Sequence, residues 1–201
     1  MVPVKSFHNF IDLLKAFPLM TFKVSHEIEA NGGISRRFVK SFADGDIEEL
    51  FIASMMFGFG DSTFPYPDLM SILVPPLPRA ELEAIRFACQ SNGPGAGWNA
   101  MMGDHHVHGM GYAFGTKFLW AAGYDSPFAP HPLILDSNVL RALSSILGSD
   151  KWRPEMQPSL RDYENYLDLA AAWSLDQTWM DHPEPELVEF SLFEYGKILK
   201  R

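Results

Sequence analysis

Residues 114–143 read FGTKFLWAAGYDSPFAPHPLILDSNVLRAL. Within them Lys117 stands among Phe114, Phe118, Leu119, Trp120 and Ala121, and Asp136 directly follows the apolar run Leu133, Ile134, Leu135. A lysine with mostly apolar neighbours loses hydration, which disfavours its charged form and moves the amine toward the free, nucleophilic state. Such an amine can attack an electrophilic carbon and form a Schiff base, and a nearby carboxylate can stabilise positive charge developing there. Asp136 suits that second role. It precedes SNVLRALSSILG, whose Val139, Leu140, Leu143, Ile146 and Leu147 fall on one face and whose Gly148 is a C-terminal stop. As the N-cap of that helix Asp136 would accept backbone N–H bonds at the positive end of the helix dipole, which keeps it ionised. The structural alternative is that Lys117 carries its charge to water along its stem and Asp136 is only a cap.

Outward from this stretch the periodicity is helical. An amphipathic helix is expected over residues 6–17, with Phe7, Phe10, Ile11, Leu14 and Phe17 on one face. Residues 44–57 open with acidic residues and continue through Ile47, Leu50, Phe51, Ser54 and Met55. GFGDSTFPYP then interrupts regular structure, and a short helix is expected over 66–73. PPLPRAELEAIRFACQSN places Pro78 near a helix start and predicts burial of Leu82, Ile85, Phe87 and Cys89, with the helix stopping before GPGAG. Two more helices are expected over roughly 159–176 and 184–195, the latter with Leu187, Val188, Phe190, Leu192 and Phe193 on its apolar side. FPLMTFKVS and HPLILD read as short extended pieces, neither with a hairpin partner. The expected class is therefore all-α or nearly so.

Composition narrows the function classes. The chain has 201 residues, 47% hydrophobic, 20% charged and 13% aromatic, which suits one globular domain spanning 1–201. No apolar run approaches the roughly 20 residues of a spanning helix, and the N-terminus MVPVKSFHNF lacks a signal-peptide pattern, so a cytoplasmic protein with no membrane partner is expected. The single cysteine, Cys89, excludes an internal disulfide and any multi-cysteine metal or iron-sulfur site. A net charge of −9 argues against a protein that coats nucleic acid, since phosphate contacts need cations to displace counterions. A DNA footprint, if present, is narrow, because the cations cluster at Arg36, Arg37 and Lys40 and at Lys197, Lys200 and Arg201.

The order glycine-rich turn, lysine-bearing helix, proline-containing loop, then aspartate opening a new helix resembles the helix-hairpin-helix superfamily of base-excision DNA glycosylases. VHGMG at 107–111 resembles its hairpin turn, GTK at 115–117 the segment of its catalytic lysine, and LILDSNV at 133–139 that of its catalytic aspartate. The 19-residue interval from Lys117 to Asp136 agrees with the 8-oxoguanine glycosylase branch. More closely, the chain is similar to a bacterial family of 8-oxoguanine-DNA-glycosylase-like proteins, on MFGFGDSTFPYP, GMGYAFGTKFLWAAG, PLILDSNVLRAL and a closing VEFSLF at 188–193. This resemblance is strongest over 50–193. YAF intervenes between GMG and GTK, and His108 stands where the family usually has proline.

The resemblance implies a helical fold with a central cleft between two lobes, acting as a monomer on double-stranded DNA that carries a modified base, without a cofactor. It makes Lys117 the nucleophile at the sugar C1′ and Asp136 the stabiliser of the oxocarbenium-like sugar, with lyase activity as an accompanying expectation. Gly109, Gly111, His108 and Thr116 would meet DNA, the glycines by letting a phosphate approach backbone N–H groups. Phe57, Phe59, Tyr66, Trp98 and Trp120 are candidates for holding the extruded base. Three alternatives remain at this level. They are a non-catalytic DNA- or protein-binding module of the same fold, a glycosylase acting on modified foreign DNA, and a metal-dependent hydrolase built on Asp104, His105 and His108 of DHHVH. The spacing of that cluster is poor for ligands on one helix, so no metal is expected.

Overall fold

The computed structural model describes residues 18–57, 72–73, 76–176 and 182–200. Among them every regular element is a helix and no strand occurs, so the fold is all-α. The expected helix over 6–17, the GFGDSTFPYP loop, Phe59 and Tyr66 lie outside the described residues. So does the expected helix over 66–73, apart from Ile72 and Leu73, which are buried.

Helix α1 spans Pro18–Asn31 and overturns the extended reading of FPLMTFKVS. Its Met20 and Val24 are buried, and Lys23 pairs with Glu49 at 2.9 Å. Tertiary burial of those residues offsets the weak local preference of a β-branched, aromatic stretch for helix. The short α2, Arg36–Lys40, is capped by Ser35, whose hydroxyl accepts from the Phe38 N–H. Helix α3, Ile47–Met56, is capped by Asp46, which accepts from the Glu48 and Glu49 N–H groups. Ile47 and all of Leu50–Met56 are buried, the signature of a helix enclosed on every side.

Helix α4 (Arg79–Asn92) and helix α5 (Pro94–Met102) are separated only by Gly93, so GPGAG starts a helix as well as ending one. Pro94 supplies the fixed φ of a first helical turn. Leu82, Ile85 and Cys89 are buried as expected, whereas Phe87 is exposed because it falls on the opposite face of α4. A loop over 103–111 leads into α6, Tyr112–Ala122, which packs on α3 through an edge-to-face contact of Phe51 with Phe118. Helix α7 (Ser137–Leu147) carries Asp136 at its N-cap and Gly148 in the left-handed conformation at its end. Val139, Leu140 and Leu143 are buried, but Ile146 and Leu147 in the last turn are exposed. Helix α8 (Leu160–Leu175) begins with a Ser159–Asp162 capping box, and α9 (Pro185–Leu199) runs one turn beyond the expected boundary.

Residues 131–136 form neither helix nor strand, and their backbone is held by side chains instead. The Tyr163 and Tyr166 hydroxyls of α8 donate to the carbonyls of Leu133 and Ile134, each at 3.0 Å. The Ile134 N–H donates to Glu189 of α9 at 3.2 Å. Thr116 of α6 donates to the Leu135 carbonyl at 3.2 Å and accepts from the Leu135 N–H at 3.0 Å. Buried backbone polar groups must find partners, and here three helices provide what a neighbouring strand would otherwise supply. The segment ends at Asp136, which is therefore fixed from α6, α8 and α9 as well as by its own cap.

Helices α7 and α9 approach each other at Gly196, where an added Cβ would lie 1.9 Å from the Asn138 carbonyl oxygen. That neighbour is backbone in the first turn of α7 and cannot swing aside. Gly196→Ala is expected to force the helices apart at a cost of about 1–3 kcal/mol. In a chain of this size the thermal midpoint should fall by about 2–10 °C, measured by circular dichroism.

Candidate active site

Lys117 projects from the middle of α6, and Asp136 opens α7. Both line one cavity of about 420 Å³, together with Arg36, Phe57, Glu189 and Phe193. A volume of this size lies within the range of small-molecule sites. The amine of Lys117 lies 5.2 Å from the centre of the Phe114 ring. Burial pulls the Lys117 pKa below the ordinary lysine value, while the negative charges of Asp136 and Glu189 act in the opposite direction. Asp136 accepts the Asn138 and Val139 N–H groups at 2.8 and 3.0 Å. Both of those bonds fall on Oδ1, so the second oxygen is not committed to the helix cap.

Glu189 and Arg36 had no place in the sequence-based site. Glu189 is only 2% exposed, and Arg36 forms a forked ion pair with it. Burial raises the Glu189 carboxyl to about 7 against the lowering effect of Arg36 and of the Ile134 N–H. Arg36 also lies over the Trp120 ring at 4.9 Å and the Phe57 ring at 5.6 Å, and it meets Glu186 at 3.6 Å. Glu186 in turn pairs with Lys40 and accepts from the Trp120 indole N–H. The signal for Glu189 was a charged residue between Val188 and Leu192 on the inner face of a helix. It is the same kind of anomaly that drew attention to Lys117.

The aromatic candidates separate. Phe57 lines the cavity, and Trp120 stacks behind it at 5.5 Å but is itself only 1% exposed. Trp98 is core, stacked on Tyr163 at 4.7 Å, because α5 turns that face toward α8. Phe190 and Phe193 of α9 line the cavity and were not among the expected base-holding residues. Thr116 also needs correction as a DNA contact. It is fully buried, and its hydroxyl is bonded to the Leu135 backbone.

The loop between α5 and α6 exposes His108, Gly109 and Gly111. Gly109 has φ of +80°, a conformation that a side chain would strain. Gly111 is the N-cap of α6 and provides no side-chain cap, and YAF is the first turn of that helix rather than an interruption of the loop. Asp104, His105 and His108 do not converge as ligands. Among the described residues no group of three or more His, Cys, Asp or Glu is placed to hold a metal ion, so the hydrolase alternative lacks its ligand set. Among the same residues no helix is long and apolar enough to cross a membrane.

Comparison with the curated proteins and with the solved structures gives no match. A family model matches residues 14–193, beginning well ahead of the region that carried the sequence resemblance. That family is described as "putative 8-oxoguanine DNA glycosylase OGG-like protein", and the chain belongs to it.

Proposed function

We propose that the protein is a DNA glycosylase that removes a modified base of the 8-oxoguanine class from duplex DNA. The observation that carries this reading is that Lys117 and Asp136, 19 positions apart in the chain, line the same cavity. An amine made less basic by burial is suited to nucleophilic attack, and a carboxylate fixed by a helix start is suited to stabilising a cationic carbon.

The target base, inaccessible inside a duplex, is extruded at a cost of a few kcal/mol and enters the cavity, where Phe57 and Phe193 offer apolar surface to its faces. The bond from C1′ to the base nitrogen breaks, and its electron pair leaves with the base. Asp136 stabilises the positive charge that develops on the sugar. The Lys117 amine forms a bond to C1′ and gives up one proton, and opening of the sugar ring, with O4′ taking a proton, leaves a protonated imine. Loss of a C2′ proton from that imine, with the 3′ phosphate departing with the C3′–O electron pair, is the lyase step. Helix α5, the 103–111 loop and α6 act as the helix-hairpin-helix element. Its Gly109 and the open first turn of α6 after Gly111 present backbone N–H groups to a phosphate, which binds without reading sequence, while the Gly111 N–H is held by the Gly109 carbonyl. The working form is a cytoplasmic monomer.

The test is borohydride trapping on duplexes carrying a panel of modified bases, 8-oxoguanine among them. A covalent protein–DNA adduct is expected on at least one of them. Absence of any adduct with folded protein, across the panel, overturns the reading.

A further inference from the structure

Four charged side chains line the cavity close together: Lys117 and Arg36, Asp136 and Glu189. Lys197 also borders it but has its own ion pair with Glu194 at 2.9 Å. When all four are ionised the group is neutral overall. Once Lys117 becomes a free amine, one uncompensated negative charge remains if Glu189 is still ionised, and none remains if Glu189 is protonated. In a poorly hydrated site such an imbalance is costly, so the two groups cannot change charge independently.

We propose that Glu189 is a positioning residue for the lysine chemistry: the charge on its carboxylate decides whether the Lys117 amine keeps its proton. The ionised carboxylate holds Lys117 as an ammonium, and the neutral acid releases it to the free amine. An ammonium–carboxylate pair and an amine–carboxylic acid pair contain the same number of protons, so the free amine is reached without changing the net charge of the cavity.

The surroundings of Glu189 fit this role. Arg36 from α2 pairs with it, and the Ile134 N–H donates to it. Lys117 and Asp136 line the same cavity, the Tyr163 and Tyr166 hydroxyls of α8 feel its charge, and Glu186 lies one turn earlier on α9. Arg36 keeps the carboxylate accessible to ionisation, and burial keeps the neutral acid within reach near pH 7. A carboxylate used only as a structural pin would not need to stand in the same cavity as the lysine.

The inference rests on the glycosylase reading only for the reaction it serves, and its test does not require activity. The ¹³Cε resonance of Lys117 is followed against pH in lysine-labelled protein and assigned by its loss in Lys117→Gln. In Glu189→Gln, whose amide keeps the side-chain shape and one acceptor oxygen but not the charge, the midpoint should fall. The ratio of the borohydride-trapping rate at pH 6 to that at pH 8 should rise about three- to ten-fold. A midpoint that stays or rises in the folded variant overturns the proposal. If the variant does not fold, the wild-type titration decides. An inflection of the Lys117 resonance near pH 7, where Glu189 changes charge, supports the coupling, and a single smooth step overturns it. A lowered midpoint in a protein that traps no DNA upholds the coupling and removes only the glycosylase reading.

Discussion

Lys117→Gln should abolish borohydride trapping and lower base release by on the order of a thousandfold or more, because the amide can neither attack C1′ nor form an imine. Binding to duplex DNA should survive, since the loop at Gly109 and Gly111 is untouched. The same substitution should leave the thermal midpoint at pH 7 equal to or above that of the wild type. Burial lowers the folded-state Lys117 pKa below the ordinary 10.5, so the lysine favours the folded state most above that value. This contribution is lost as pH falls from 10.5 through the folded-state pKa, so at pH 7 the buried lysine carries a cost that glutamine does not have. A stabilised but inactive variant is what a residue retained for chemistry rather than for folding should give. A variant that still traps DNA would remove Lys117 from the mechanism, and a markedly lower midpoint would make it a structural residue.

Arg36→Ala should give the largest loss of stability. It leaves Glu189 buried without its guanidinium partner, and breaking a buried ion pair from one side costs about 3–5 kcal/mol. The effect depends on pH in a defined direction. The Glu189 carboxyl stands at about 7 in the folded protein against its ordinary 4.5, so its contribution to stability is fully present below 4.5 and is lost as pH rises through 7. Arg36 restrains that loss by pulling the value down. Without it the folded-state value moves higher and the loss continues further up the pH scale. The deficit should therefore be small at pH 5 and should reach about 6–15 °C in thermal midpoint at pH 8. The Arg36→Ala, Glu189→Gln double variant should lose this pH dependence, leaving only the packing of Arg36 over Phe57 and Trp120. A single-variant deficit that does not change with pH would mean that Glu189 is not held as an ion pair.

Much of the site was legible because its residues contradict their surroundings. A lysine in FGTKFLWAA and an aspartate after LIL are anomalies that hydrophobic periodicity exposes directly, and the cap at Asp136 follows from the helix pattern behind it. Glu189 is the same anomaly in VEFSLF, but nothing in the sequence connects it to Arg36, 153 positions away. Thr116 was misread for a related reason. Beside a lysine on a helix, a threonine looks available for a ligand, and only the fold shows its hydroxyl turned to the Leu135 backbone. Trp98 and Trp120 illustrate the general difficulty with aromatic candidates, because a large flat side chain suits a base pocket and a core equally well.

The sequence by itself determined the helical class, the positions of most helices from α3 onward, and the pairing of one lysine with one aspartate as the residues most at odds with their neighbours. These are consequences of local pattern: periodicity, caps and breakers act over one or two turns. Tertiary structure alone decided that α1 is a helix, that the LIL segment is pinned by two tyrosines, a threonine and a glutamate, and that Arg36 and Glu189 complete the charged cavity. Those outcomes depend on which groups are removed from water together, and desolvation is a property of the packed chain rather than of any stretch of it.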